Sequence, residues 1–146
     1  MPEKETLERA REDKEEGKAA STQAGEFVRE EMHHVREGKH GARSTKQAIA
    51  IGLSKARRAG VRLSPPRRGK AKTKRSAARA YRAGQTHPRR RPSPTRARAT
   101  RRALKREGHS AASKQALSRQ ARSAAKKRSA ASRSRSAKKA AATRKK

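Results

Sequence analysis

Three histidines that lie close together in the sequence, His33, His34 and His40, are the side chains best suited to metal binding or proton transfer. Histidine binds metal ions through either ring nitrogen and changes its charge near neutral pH. Adjacent residues on a helix point about 100° apart, so His33 and His34 do not converge on one ion. No carboxylate or thiolate follows at a spacing typical of a zinc site. We therefore expect no metal site and interpret these histidines as a pH-sensitive surface patch or as polar turn residues.

Groups for catalysis are not arranged in any motif that we can identify. The sequence has no pair of carboxylates in an apolar setting and no glycine-rich loop of the kind that cradles phosphates. It also has too few large apolar residues to line a pocket for a small molecule. We expect a protein that is not an enzyme, uses no cofactor and has no small-molecule substrate.

Lysine and arginine are the residues that indicate a function. The chain has 44 of them against 12 aspartates and glutamates, which gives a net charge of +32. Residues 1–31 contain ten acidic and six basic residues, whereas the remainder contains two acidic and 38 basic residues. Basic side chains that meet phosphates release condensed counterions, which makes a polyanion the natural partner. We predict sequence-nonspecific DNA binding and compaction by a histone-like, nucleoid-associated protein. The alternative is an RNA-binding or ribosome-associated protein.

The predicted nucleic-acid-binding residues lie on the second helix of a helical hairpin and in the basic C-terminal part of the chain. They are Lys46, Lys55, Arg57, Arg58, Arg67, Arg68, Lys70, Lys72, Lys74, Arg75, Arg89, Arg90, Arg91, Arg101, Arg102, Lys126, Lys127, Arg128, Lys138 and Lys139. Segment 88–92 resembles an AT-hook, because a rigid arginine segment fits a narrow minor groove, but it lacks the glycine of the AT-hook core. A linker with general phosphate contacts is the favoured interpretation of this segment.

Two patterns predict a short helical hairpin in residues 21–66. The apolar stripe of the first helix, at i, i+4 and i+7, consists of Val28, Met32 and Val35. The second helix begins with Ser44 and has Gln47 three residues later, which is a capping-box pattern. We expect the two helices to face each other and to provide a surface for weak self-association.

The rest of the chain is expected to have little tertiary structure. Only 14 residues are Met, Val, Leu, Ile, Phe or Tyr, and nine of them lie between Phe27 and Leu63. Low hydrophobicity with high net charge does not offset the entropy of ordering. The expected fold class is mostly disordered with α. An acidic arm over residues 1–20, helical or disordered, precedes the hairpin and could fold back on the basic tail. The low-complexity tail covers residues 67–146, of which 94–128 become helical when bound.

A short internal repeat links the hairpin to the tail. Residues 36–40 and 44–49 resemble residues 106–109 and 112–117. Two interpretations remain open. The similarity is either a coincidence in Ala/Lys-rich sequence or the trace of a second, degenerate hairpin that orders only on binding.

Two resemblances follow from these motifs. The stretch from Glu30 to Arg57 contains a Met-His element, a Gly-Lys-His turn and a Lys-Gln-Ala-Ile-Ala-Ile run, and it is similar to an uncharacterised family of small basic bacterial proteins. Residues 130–144 resemble the Ala/Lys-rich tails of linker histones and bacterial histone-like proteins. These resemblances imply a bacterial, DNA-associated protein without defined site residues. Because no apolar run approaches the ~20 residues of a membrane span, we expect a cytoplasmic protein of the nucleoid without a membrane partner.

Overall fold

The protein is all-helical in the computed structural model, which describes residues 1–86 and 93–144. These residues form seven α-helices and one short 3-10 helix. The α-helices are α1 (Lys4–Glu15), α2 (Ala20–Arg36), α3 (Thr45–Arg58), α4 (Ala71–Thr86), α5 (Pro94–Lys105), α6 (Lys114–Lys126) and α7 (Ala130–Arg144), and the 3-10 helix is Ser110–Ala112. Helix α3 is central, since it contacts α2, α4, α6 and the 3-10 helix, while α1 packs on α2. No helix in the two described segments is long and apolar enough to cross a membrane.

The predicted hairpin forms from α2 and α3, and the local sequence sets its turn. Gly38 follows α2 with a φ of +73°, a backbone conformation that favours glycine and ends the helix. Ser44 caps α3 by accepting a hydrogen bond from the Gln47 N–H (3.2 Å), which confirms the predicted cap. The Gln47 side chain in turn accepts a hydrogen bond from the Arg43 N–H (2.9 Å). Side chains therefore satisfy backbone groups that the first turn of α3 would otherwise leave without partners.

Small residues make up most of the core. One cluster lies between α2, α3 and the 3-10 helix and consists of Met32, Val35, Ala42, Ala48, Ala111 and Ala112. The other joins α1, α2 and α3 and consists of Ala10, Ala24, Phe27, Ala56 and Val61. Alanine buries little area, but it has the highest helix propensity and lets helices approach closely. The protein thus builds its core from residues that also favour the helices themselves.

Glycines mark two close contacts between helices. A Cβ atom at Gly52 of α3 would lie 2.7 Å from the Cα of Val28 on α2. A Cβ atom at Gly84 of α4 would overlap the carbonyl oxygen of Arg57 on α3. Two alanines of α4 are buried as well. Helix α4 is therefore a packed part of the fold and not the beginning of a tail.

The predicted fold class, mostly disordered with a low-complexity basic tail, is wrong. Helices α4 to α7 occupy most of residues 67–144, and α5 and α6 are formed in the isolated chain. The prediction counted only large apolar residues as core formers, whereas the structure buries alanines and brings backbones together at glycines. Sequences rich in alanine, arginine and lysine also have high helix propensity, so their simple composition favours helix here.

The two copies of the internal repeat contact each other. The Ala42 N–H in the α2–α3 turn donates a hydrogen bond to the Gly108 carbonyl (3.0 Å). The Thr45 hydroxyl at the start of α3 donates to the Ala111 carbonyl (2.6 Å). These bonds hold the connection between α5 and α6 against the hairpin turn. The second copy is therefore ordered on the first without a bound partner.

Candidate nucleic-acid interface

Most of the predicted phosphate-binding residues are exposed on helices or on the loop before α4. The exposed ones are Lys46, Arg58, Arg67, Arg68, Lys70, Lys72, Lys74, Arg75, Arg101, Arg102, Lys126, Lys127, Arg128, Lys138 and Lys139. Arg89, Arg90 and Arg91, together with the AT-hook-like segment, lie outside the described residues. Most of these exposed basic residues thus lie on helices α4 to α7 or in the loops beside them.

Two predicted residues on α3 have structural contacts instead. The ammonium of Lys55 lies 2.6 Å from Glu31 Oε2 and 3.3 Å from Glu30 Oε1. Arg57 is buried and donates a hydrogen bond from Nε to the Leu63 carbonyl (3.0 Å). Burial lowers the pKa of the Arg57 guanidinium, because desolvation disfavours its charged form. Lys55 ties α3 to α2 and Arg57 ties α3 to the loop that follows it, so neither belongs to the interface.

Helices α5 and α6 each carry a stripe of basic side chains at helical spacing. A shallow hollow of about 390 Å³ on α5 is lined by Arg98, Arg101, Arg102, Lys105 and Arg106. A second hollow, of about 410 Å³ on α6, is lined by Arg119, Arg122, Ser123, Lys126 and Lys127. We call these two sets the α5 and α6 basic stripes. Neither set contains an acidic residue, so each presents donors and positive charge suited to phosphate oxygens.

Several members of the basic stripes were missed by sequence reasoning. They are Arg98, Lys105, Arg106, Arg119 and Arg122. Their spacing contained the necessary information, because positions 98, 102 and 105 follow the i, i+4, i+7 pattern of one helix face. The prediction expected residues 94–128 to be helical only when bound and applied the helical pattern to apolar residues alone.

The acidic arm forms its ion pairs within the N-terminal part of the fold. Arg9 of α1 lies 2.7 Å from Glu26 of α2, and this hydrogen bond raises the pKa of Arg9. Glu3 lies 2.8 Å from His34 Nε2 and 3.1 Å from Lys39 Nζ. The hydrogen bond from His34, followed by that from Lys39, lowers the pKa of Glu3 to about 2. The arm therefore docks on α2, and these carboxylates are satisfied there.

The hairpin is also the part of the chain that known sequences match. Residues 17–68 match the model of a family of unknown function (DUF6496). This match covers α2, α3 and the following loop, and it agrees with the resemblance of this region to an uncharacterised family. No curated protein and no solved structure matches the chain. Both basic stripes lie outside the matched residues, so geometry alone carries the case for their function.

A partly buried cluster of one glutamate and two histidines within the matched segment was not predicted from the sequence. Glu31 of α2, His34 of α2 and His40 of the turn each offer one metal-ligating atom, and these atoms lie within 4.8 Å of one another. Sequence reasoning compared His34 with its exposed neighbour His33, whereas the turn after α2 brings His40 back to the helix. Two imidazoles and a carboxylate form a ligand set that transition metals accept.

Proposed function

We propose that the protein binds double-stranded DNA without reading its sequence, through the α5 and α6 basic stripes and the exposed basic residues of α4 and α7. The observation that carries this proposal is the pair of basic stripes whose linings contain no carboxylate. Arginine and lysine contacts to phosphate give affinity and orientation without sequence information.

The dimensions of α5 support this interaction. Its 12 residues span about 18 Å along the helix axis. Over about 18 Å a DNA duplex carries about ten phosphate charges. The duplex thus carries more phosphates over this length than the α5 stripe has cations. Helix α6 has 13 residues, so it spans a similar length of duplex.

Compaction follows from the presence of basic stripes on two separate helices. One chain can then contact two duplex segments and bridge them. The resemblance of the C-terminal residues to linker-histone tails, and of the hairpin to small basic bacterial proteins, supports a role in the bacterial nucleoid.

RNA is the second candidate, because electrostatic attraction alone does not distinguish the two polymers. Proteins that bind single strands usually stack bases on aromatic side chains. The chain has one tyrosine, one phenylalanine and no tryptophan, and Phe27 is buried in the core. This scarcity of aromatic side chains favours a duplex partner over a single strand.

A salt titration of the full chain against several unrelated duplexes tests the proposal. If ~10 phosphates are engaged, log affinity should fall with log salt at a slope near −9, and all duplexes should bind alike. A shallow slope, or a preference of more than ~100-fold for one duplex, would point to base or shape recognition instead. Tighter binding to single-stranded RNA of equal length would assign the RNA alternative.

A matched pair of double variants locates the interface. Arg101→Gln with Arg102→Gln removes two charges from the α5 stripe and should lower the magnitude of the salt slope by about 2. Arg11→Gln with Lys14→Gln removes two exposed charges from α1 and should leave the slope nearly unchanged. Equal effects of the two variants would mean that net charge, and not the stripe, determines binding.

A further inference from the structure

The histidine–glutamate cluster is built by α2 and the turn that follows it. Glu31 and His34 lie one turn apart on α2, and His40 lies in the turn that leads to α3. The side chains of His34 and His40 are 13% and 14% exposed, and the Glu31 side chain is 1% exposed. The two rings meet edge to face with centroids 5.9 Å apart. The cluster thus has a buried carboxylate at its base and an edge that solvent ions can reach.

One nitrogen of each ring has a hydrogen-bond partner outside the set of Glu31, His34 and His40, which leaves the other nitrogen for an ion. His34 Nε2 lies 2.8 Å from a Glu3 carboxylate oxygen, and His40 Nδ1 lies 3.1 Å from the Gly41 carbonyl oxygen. Both oxygens are acceptors, so these ring nitrogens carry the hydrogen and donate. In the neutral imidazoles the lone pairs then sit on His34 Nδ1 and His40 Nε2. Metal-bound histidines are typically held in this way, with the other N–H donated to a carboxylate or carbonyl.

Glu31 completes the set. Its Oε2 lies 2.6 Å from the Lys55 ammonium, and its Oε1 lies 3.1 Å from His40 Nε2. Despite these distances, neither oxygen forms a hydrogen bond of regular geometry within the described residues. A carboxylate oxygen that faces an imidazole lone pair repels it, and the contact becomes favourable when a cation lies between the two atoms. Lys55 neutralises one oxygen and leaves Oε1 available for that cation.

We propose that Glu31, His34 and His40 bind one divalent first-row transition-metal ion, with Zn²⁺ as the probe. Two imidazole nitrogens and one carboxylate oxygen suit Zn²⁺, whereas Mg²⁺ and Ca²⁺ take mainly oxygen ligands. Zinc bonds of about 2.0–2.2 Å in a tetrahedron set the ligand atoms about 3.4 Å apart. The 3.1 Å between Glu31 Oε1 and His40 Nε2 is already close to that separation. Three protein ligands leave a fourth position for water.

The proposed ion links three parts of the fold. Its ligands come from α2 and the turn, and Glu3, which holds the ring of His34, immediately precedes α1. Metal binding should therefore stabilise the hairpin and the docking of the acidic arm together. The site is separate from the basic stripes, so it can be tested without nucleic acid.

Calorimetric titration of the chelator-treated full chain with Zn²⁺, in buffer free of phosphate and nucleic acid, is the first test. We expect one ion per chain. The melting temperature, followed by circular dichroism, should rise with Zn²⁺ concentration, because a ligand that binds only the folded state stabilises it. If Zn²⁺ changes neither the heat signal nor the melting temperature, the proposal is overturned. It is equally overturned if lowering the pH raises the melting temperature while Zn²⁺ has no effect, since a proton would then bridge Glu31 and His40.

Single substitutions assign the ligands. Glu3→Gln leaves the ligands in place but removes the carboxylate behind His34, and it should weaken Zn²⁺ binding by about 10–100-fold. His40→Gln removes a ligand and should cost more than that. His33→Gln is the matched control, because His33 is exposed beside His34 and lies outside the cluster. Wild-type affinity in both the His40→Gln and the Glu3→Gln variants would place the metal elsewhere and refute the site.

The Lys55→Met variant distinguishes a metal site from a cluster that is held only by the Lys55–Glu31 ion pair. Without metal this variant should melt at a lower temperature than the wild type, because Glu31 loses its neutralising ammonium. With Zn²⁺ it should recover more than the wild type gains, since the ion then restores the positive charge that Glu31 has lost. A variant that melts low and does not respond to Zn²⁺ would show that the cluster is an ion pair alone.

Discussion

Helices α1 to α4 and helices α5 to α7 are held in different ways. Each of the first four buries residues against a neighbour. In contrast, α5 and α6 bury none of theirs, and no described side chain of α7 is buried. The later helices rely on alanine content and on caps such as Ser113, which accepts a hydrogen bond from the Ala116 N–H. The contrast shows that helix propensity and tertiary packing are separate contributions.

Charge divides the helices at a different point, after α3. In the N-terminal part, carboxylates of α1 and α2 pair with cations up to Lys55, including the buried Glu30 and Glu31. Residues 67–146 contain 30 lysines and arginines and one acid, Glu107. Helices α1 to α3 neutralise much of their charge internally, whereas α4 to α7 carry basic residues and no acidic residue. The region with the fewest internal contacts is therefore the one best equipped to contact a polyanion.

Hydrogen exchange should show the largest contrast between the two regions. Amides in the middle of α2 and α3 should exchange through global unfolding, at least about 10⁴-fold more slowly than in a free chain, because domains of this kind are stable by ~5–15 kcal/mol. Amides of α7 should be protected by less than about 10-fold, since isolated helices of this length are marginal in water. Mass spectrometry of peptic fragments measures both. Equal protection of α3 and α7 would mean that α7 packs on a surface we have not recognised.

The next largest difference between the two regions should be the loss of unfolding free energy when an apolar side chain is truncated to alanine. Phe27 is 1% exposed, so Phe27→Ala should lower the free energy of unfolding by about 3–5 kcal/mol. Leu117 of α6 is only partly buried against the Met32–Val35 cluster, so Leu117→Ala should cost about 1–2 kcal/mol. Urea denaturation monitored by circular dichroism compares the two. A loss from Leu117→Ala as large as that from Phe27→Ala would place α6 inside the cooperative core.

Alanine at two helical glycines should have opposite effects. At Gly52 a methyl group meets the Val28 backbone at 2.7 Å, and overpacking costs typically about 1–3 kcal/mol. This cost outweighs the helix-propensity gain of about 1 kcal/mol, so Gly52→Ala should be destabilising. At Gly25 of α2 nothing lies within 4 Å of the new methyl group, so Gly25→Ala should be stabilising by about 1 kcal/mol. Thermal melts test the pair, and a stabilising Gly52→Ala would contradict the close packing of α2 and α3.

The smallest expected difference between the two regions is their response to acid. Acid should weaken the docking of the acidic arm on α2 at a pH at which the C-terminal helices are unchanged. The folded-state pKa of Glu3 is about 2 against an ordinary value of 4.5. A lowered carboxylate pKa contributes stability that is complete above about pH 4.5 and is lost as the pH falls towards 2. Protection of α1 amides, taken relative to the intrinsic exchange rate at each pH, should therefore fall over this range, while protection of α6 amides should stay unchanged. Glu3→Gln should remove the step, and a step of unchanged size in that variant would assign it to another carboxylate.

The sequence predicted the hairpin well because its signals are local. The Ser44–Gln47 cap and the glycine after α2 act within one turn of backbone, and the stripe of Val28, Met32 and Val35 identifies the buried face of α2. Packing of α4 on α3 was not predicted, because it depends on Gly84 meeting the Arg57 carbonyl across 27 positions of chain. Local patterns carry no information about such a contact.

The sequence by itself determined the polarity of charge and the helix ends of the hairpin, since these follow from composition and from neighbouring residues, and it predicts a polyanionic partner. Only the tertiary structure decided that Lys55 and Arg57 hold the fold while the α5 and α6 stripes stay exposed. It likewise brought Glu31, His34 and His40 together. The physical reason is that burial and ion pairing depend on which helices meet. In this chain that choice rests on alanines and glycines, whose packing leaves little trace in a hydrophobicity pattern.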